Sequence, residues 1–183
     1  GLLEKAISLD GNLIVARVWY GRTYYSIGDY ENAMTIYKES LKLAEGINDE
    51  HGISLSLIGI GNIHNSIGEY NTALDYYERS LIIKEKIGDK IGKAWAFNNI
   101  GIVHSDKGGY DKALEYLEKS LSIQKEIGLG GELPLWTNTY LYLAYKNLGK
   151  DYDEKEIHTL IKEAKNIEFE LKYAIYQLLE DKS

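Results

Sequence analysis

The sequence predicts an all-α fold built from repeated helical hairpins, and three observations carry that prediction. First, residues 26–41 read SIGDYENAMTIYKESL, residues 66–81 SIGEYNTALDYYERSL and residues 106–121 DKGGYDKALEYLEKSL, one pattern returning every 40 residues. Second, apolar residues within a copy recur at helical spacing, as in the stripe Ala113, Leu114, Leu117, Leu121 and Ile123. Third, the whole chain of 183 residues contains a single proline, so little interrupts helix formation.

Taken in order, 1–11 reads as the end of a second helix whose own first helix lies outside the chain. With the initial glycine, this gives the expectation of a piece of something longer. Three full repeats follow at 12–49, 50–89 and 90–131. Their first helices run from Asn12, Glu50 and Lys90, and their second helices from Tyr30, Tyr70 and Tyr110. Gly28, Gly68 and Gly108 stand where the first helix stops, the usual place for a left-handed residue. Gly21, Gly61 and Gly101 fall inside the first helix, where glycine costs ~1 kcal/mol against alanine. Close helix approach is the expected reason, with Ala33, Ala73 and Ala113 opposite. Residues 132–166 read as a degenerate fourth repeat, with Tyr142 at the glycine position and helices at 132–149 and 153–165. A capping helix at 167–181, within the segment 167–183, completes a single array of about ten helices.

The repeat also decides the reading of IGIGNIHNSIGEY, residues 58–70, whose glycines suggest a phosphate-binding loop. Such a loop follows a strand and opens a helix, and no strand-like alternation precedes residue 58. Gly61 and Gly68 belong to the helical repeat, so the dinucleotide reading fails. Composition narrows the classes further. There are no cysteines, hence no disulfide framework or thiolate metal site. A net charge of -7 disfavours nucleic acid and anionic membranes, which bind clustered Lys and Arg. No apolar run reaches the ~18 residues of a membrane span, and the opening residues carry no signal-peptide pattern.

The repeats resemble the tetratricopeptide family. Phe97, Ile100, Gly101, His104, Gly108, Tyr110, Ala113 and Leu117 carry the signature, as do Leu57, Ile60, Gly61, His64, Gly68, Tyr70, Ala73 and Tyr77. The first repeat supplies Tyr20, Gly21, Tyr24, Gly28, Tyr30, Ala33 and Tyr37, with Arg17 breaking the apolar rule. The 40-residue period exceeds the family's usual ~34, and the closing proline is missing. With its longer helices and the linkers GINDEHG and IGDKIGK, the chain is similar to the repeats of kinesin light chains, LGN-type polarity adaptors and bacterial signalling regulators. The resemblance implies a right-handed superhelical solenoid of antiparallel helix pairs that binds protein or peptide segments in its concave groove. It also implies a cytoplasmic scaffold with no enzymatic activity and no cofactor.

Carried over by position, the groove would be lined by Val15, Val18, Trp19, Arg22 and Tyr25, then Leu55, Ile58, Asn62 and Asn65. Trp95, Asn98, Asn99, Ile102 and Ser105 follow, then Trp136, Thr139, Tyr140, Leu143 and Lys146. The peptide-binding expectation rests on Arg22, Tyr25, Asn62, Asn65, Trp95, Asn98 and Asn99. Asparagine is poor in helix interiors, yet its amide both donates to and accepts from a peptide backbone. Trp and Tyr supply apolar anchors of the kind that dominate binding hot spots. At the two-carboxylate clamp positions stand Val18, Arg22, Gly59, Trp95 and Asn99, so the clamp for an acidic tail is not preserved.

No catalytic set stands out. His64 and His104 occupy equivalent positions and read as packing residues, and Asp151, Asp153 and Glu154 read as a helix start. Two functions are expected from these features: a protein- or peptide-binding scaffold, or a regulatory module controlling an effector domain outside this chain. Self-association through exposed terminal repeats is a further expectation, and neither nucleic acid nor membrane is an expected partner.

Overall fold

In a computed structural model the described residues are 11–151. They form seven helices: α1 (Gly11–Ser26), α2 (Tyr30–Gly46), α3 (Glu50–Ser66), α4 (Tyr70–Lys86), α5 (Lys90–Asp106), α6 (Tyr110–Glu126) and α7 (Glu132–Asn147). No strand occurs among the described residues, and each helix starts within about one residue of its expected position. The segments expected at 1–11, apart from Gly11, and at 153–181 lie outside the described residues. No described helix is long and apolar enough to cross a membrane.

Each helix stops for the same local reason. The amides of Asp29, Glu69 and Gly109 reach back to the carbonyls of Tyr24, His64 and His104 at 2.9, 2.8 and 2.8 Å. This closure requires the residue before it to be left-handed, and Gly28, Gly68 and Gly108 sit at φ 78°, 79° and 76°. The next helix is then capped. Asp49 accepts from the Gly52 amide at 3.0 Å and Asp89 from the Gly92 amide at 2.8 Å. Connections are therefore only a few residues long, and α1 packs on α2, α2 on α3, α3 on α4 and α6 on α7.

The chain packs as two compact units, Gly1–Ala96 and Phe97–Ser183, which part inside α5. The first is centred on Ala33 and Tyr37 of α2 and on Ile60 and Ile63 of α3, flanked by Val18, Tyr24, Met34 and Leu41. The second joins Ala113, Leu114 and Leu117 of α6 to the run Tyr140–Ala144 of α7, with Ile102 and Trp136 against them.

The intrahelical glycines serve a different partner from the one the sequence suggests. A methyl on Gly21 or Gly61 would lie 2.7 Å from the ring of Tyr37 or Tyr77, and one on Gly101 would lie 2.6 Å from Leu117 Cγ. The side chain lying flat on the bare backbone is thus the residue four beyond the expected alanine, and at Gly101 the Ala113 carbonyl, 3.3 Å from such a methyl, adds the close backbone approach the sequence suggests. Gly59, shared with no other repeat, does the same for Tyr37 from the other side, at 2.6 Å. Tyr37 is held between two glycines of successive first helices. That explains its 2% exposure and the lift of its hydroxyl pKa to about 12, which burial causes and Arg22 partly opposes.

Candidate peptide-binding surface

In the first unit α1 and α3 lie side by side, tied at their C-terminal ends by Tyr25 Oη and Ser66 Oγ, 2.8 Å apart. The repeat places Arg22 and Asn62 at equivalent positions on these helices, and Tyr25 and Asn65 at the next pair. Arg22 is exposed and stacks over the indole of Trp19, 5.1 Å from its centroid. Tyr25, Asn62 and Asn65 are half-buried, as is Trp95 at the start of α5.

Asn62 is already engaged by its own hairpin. The Tyr77 hydroxyl donates to its Oδ1 at 2.6 Å. The equivalent pairs are Arg22 with Tyr37, and Ile102 with Leu117, so the two positions change character together. Sequence reasoning missed this link, although the joint substitution across repeats was the signal that could have found it.

The second unit treats its predicted residues differently. Asn98, expected on an open wall, is 1% exposed. Its Oδ1 lies 2.8 Å from Thr137 Oγ1 of α7, and Gln124 Nε2 donates to the same hydroxyl at 2.7 Å. Thr137 also lies 2.9 Å from the Leu133 carbonyl, and one hydroxyl proton cannot serve two acceptors. A half-turn of the Asn98 amide resolves the conflict: Nδ2, unpartnered in the opposite orientation, then donates to Thr137, whose proton goes to Leu133. Asn98 thus joins α5 to α7 instead of facing outward.

Asn99 is half-buried and Trp136 stacks on Tyr140 at 6.1 Å. Thr139, Tyr140 and Leu143, also expected on the surface, are buried at 1%, 7% and 8%. The physical reason is that α7 is packed by the α6 core on the face that the fourth repeat was expected to present. The surviving open surface is therefore richer in the first unit, around Arg22, Tyr25, Asn62 and Asn65.

The histidines have packing partners. His64 stacks on Tyr76 with ring centroids 5.4 Å apart and bonds Glu69 through Nδ1 at 2.7 Å. His104 stacks on Tyr116 at 5.6 Å, and burial, reinforced by Lys112 and Lys107, lowers its pKa.

Comparison with known proteins bears on this geometry. The family described as Tetratricopeptide repeat matches residues 12–86 and 52–126, together more than half of the chain. No curated protein matches. Among solved structures, BtubC (BKLC) from P. vanneervenii is similar with a TM-score of 0.64 and 18% identity over 90% of this chain. The chain spans 65% of that protein's length. A Podosopora anserina protein described as a kinesin light chain with nearly identical TPR-like repeats gives a TM-score of 0.57. That match has 18% identity and covers 95% of this chain and 79% of the other; a variant of the same protein gives 0.59 at 15% identity, covering 94% and 79%. These likenesses concern the fold. The chain belongs to the tetratricopeptide repeat family, whose members are in general protein-interaction scaffolds.

Proposed function

We propose that this chain binds an extended polypeptide segment along the first helices α1 and α3 of its first unit. One observation carries the reading: Arg22, Tyr25, Asn62 and Asn65 form two matched rows on adjacent helices, polar but with a single charge among them. Asn62 and Asn65 supply amides that recognise a backbone irrespective of sequence, and Tyr25 supplies apolar area. The bound segment is neutral or acidic, because Arg22 is the only ionised member of the set and attracts carboxylates.

The test is selection of displayed peptides on the full chain, followed by binding to the double variant Arg22→Ala with Asn65→Ala. Loss of at least about tenfold in affinity, with helicity unchanged by circular dichroism, supports the surface. Selected peptides that bind the variant as tightly as the parent place the site elsewhere.

A further inference from the structure

Two repeats carry the same histidine on the same tyrosine and differ in what faces its ring nitrogen. His64 stacks on Tyr76 with the rings 6° from parallel, and His104 stacks on Tyr116 with the rings 13° from parallel. In the second repeat Glu69, just before α4, places a carboxylate oxygen 2.7 Å from His64 Nδ1. One repeat later Gly109 stands in its place, and the His104 ring has no hydrogen-bond partner among the described residues.

The backbone at Gly109 is that of a residue with a side chain. Glu69 sits at φ -83°, ψ 59° and Gly109 at φ -87°, ψ 59°, so the glycine meets no conformational need. Among the described residues, a methyl on Gly109 would meet only His104 within 4 Å beyond its chain neighbours, the carbonyl at 3.3 Å and Nδ1 at 3.9 Å. The missing carboxylate therefore leaves a gap beside Nδ1.

The charges change in step. Where the second repeat has Ile67 and Thr72, the third has Lys107 and Lys112. Burial, reinforced by Lys112 and Lys107, holds the His104 pKa below its ordinary value, against an opposing effect from Glu115. Glu115 is itself bonded to Lys119 at 2.5 Å. Asp106 and Asp111 are acidic where the second repeat has Ser66 and Asn71, but neither is among the groups that act on the ring. At neutral pH the imidazole is thus an uncharged N–H donor in a positive local field. Around it one anion is lost and two cations are gained.

We propose that the gap beside His104 binds a carboxylate from outside the hairpin, the glutamate or aspartate side chain of a partner polypeptide. Its oxygen takes the place that Glu69 fills on His64 and accepts from Nδ1, with the two lysines adding attraction. All of these groups lie in the second unit, so the site stands or falls apart from the surface around Arg22.

A blocked hexaglutamate peptide, titrated into the full chain and read by the imidazole nitrogen resonances, tests this. The His104 resonances should shift to saturation while those of His64, already bonded to Glu69, stay in place. Hexaglutamine should move neither. Gly109→Glu should rebuild the internal bond, bring the His104 resonances toward those of His64, and weaken the peptide by at least about tenfold. Lys112→Gln leaves the gap open and should weaken it less. No shift at His104, or a shift that survives Gly109→Glu, overturns the proposal. Inorganic phosphate binding more tightly than hexaglutamate overturns the carboxylate assignment. His104 resonances that already match those of His64 in the free chain overturn it too, because one of the chain's own carboxylates then fills the gap.

Discussion

The Tyr77 hydroxyl sits 2.6 Å from Asn62 Oδ1, joining the second helix of a hairpin to its first across the ring that covers Gly61. Tyr77→Phe should cost about 1 kcal/mol, the usual net worth of one such bond with its acceptor left part-buried. The third repeat shows the apolar alternative in Ile102 and Leu117. Tyr77→Leu combined with Asn62→Ile should therefore be less destabilising than the two single changes summed. Urea unfolding of all four members of the cycle measures the coupling.

Lys84 is 1% exposed and donates to Asp89 Oδ2 at 2.8 Å, while the other Asp89 oxygen caps α5. The neighbouring repeats have Ala44 and Gln124 at this place. Lys84→Ala removes the partner of a carboxylate that is only a quarter exposed and should cost about 2–3 kcal/mol. Lys84→Gln keeps a donor and should cost less. Equilibrium unfolding at neutral pH separates the two.

The same pair sets an acid dependence. Burial works to raise the Asp89 pKa, but the bonds from Lys84 and the Gly92 amide outweigh it and hold the pKa below the ordinary 3.8. The folded state therefore binds this proton less readily than the unfolded chain. Its contribution is complete above pH 3.8 and disappears as pH falls through the lower folded-state value. Asp89→Asn should be less stable than the parent near neutrality, and its stability should fall less steeply below about pH 4. Unfolding midpoints across an acid series check this.

Gly59 and Gly46 should respond in opposite directions to alanine. At Gly59 the new methyl would lie 2.6 Å from the Tyr37 ring, a side chain already enclosed. The expected loss is about 1–3 kcal/mol despite the gain in helix propensity. Nothing lies within 4 Å of a methyl at Gly46, so there the gain stands alone, about 0.5–1 kcal/mol. Thermal unfolding of the two variants side by side gives the contrast.

Asn48 is the one non-glycine residue with positive φ, at 56°, among the described residues. Gly88 and Gly128 hold the equivalent turn in the next two repeats. Asn48→Gly should raise stability by a few tenths of a kcal/mol, and Asn48→Ala should lower it by roughly 1 kcal/mol. Differential unfolding in urea resolves both.

The helices and turns were legible because they depend on neighbours a few residues away. Spacing, a left-handed glycine and an aspartate cap mark each hairpin within one repeat. The site was less legible because exposure depends on residues a whole repeat distant. Asn98 looks like a surface amide until Thr137 and Gln124 close around it, and neither position matches anything in the earlier repeats. Asn62 looks free until Tyr77 reaches it. The glycine at 59 shows the converse: an unshared residue that reads as incidental proves to shape the bed of Tyr37.

The recurrent closure of each helix end by an amide reaching back five residues has a kinetic consequence. Local bonds of this kind form before distant segments need to meet, so the connection between helices adds little to the search. Hairpins can condense one after another, and damage to one should first speed amide exchange there while more distant hairpins stay protected.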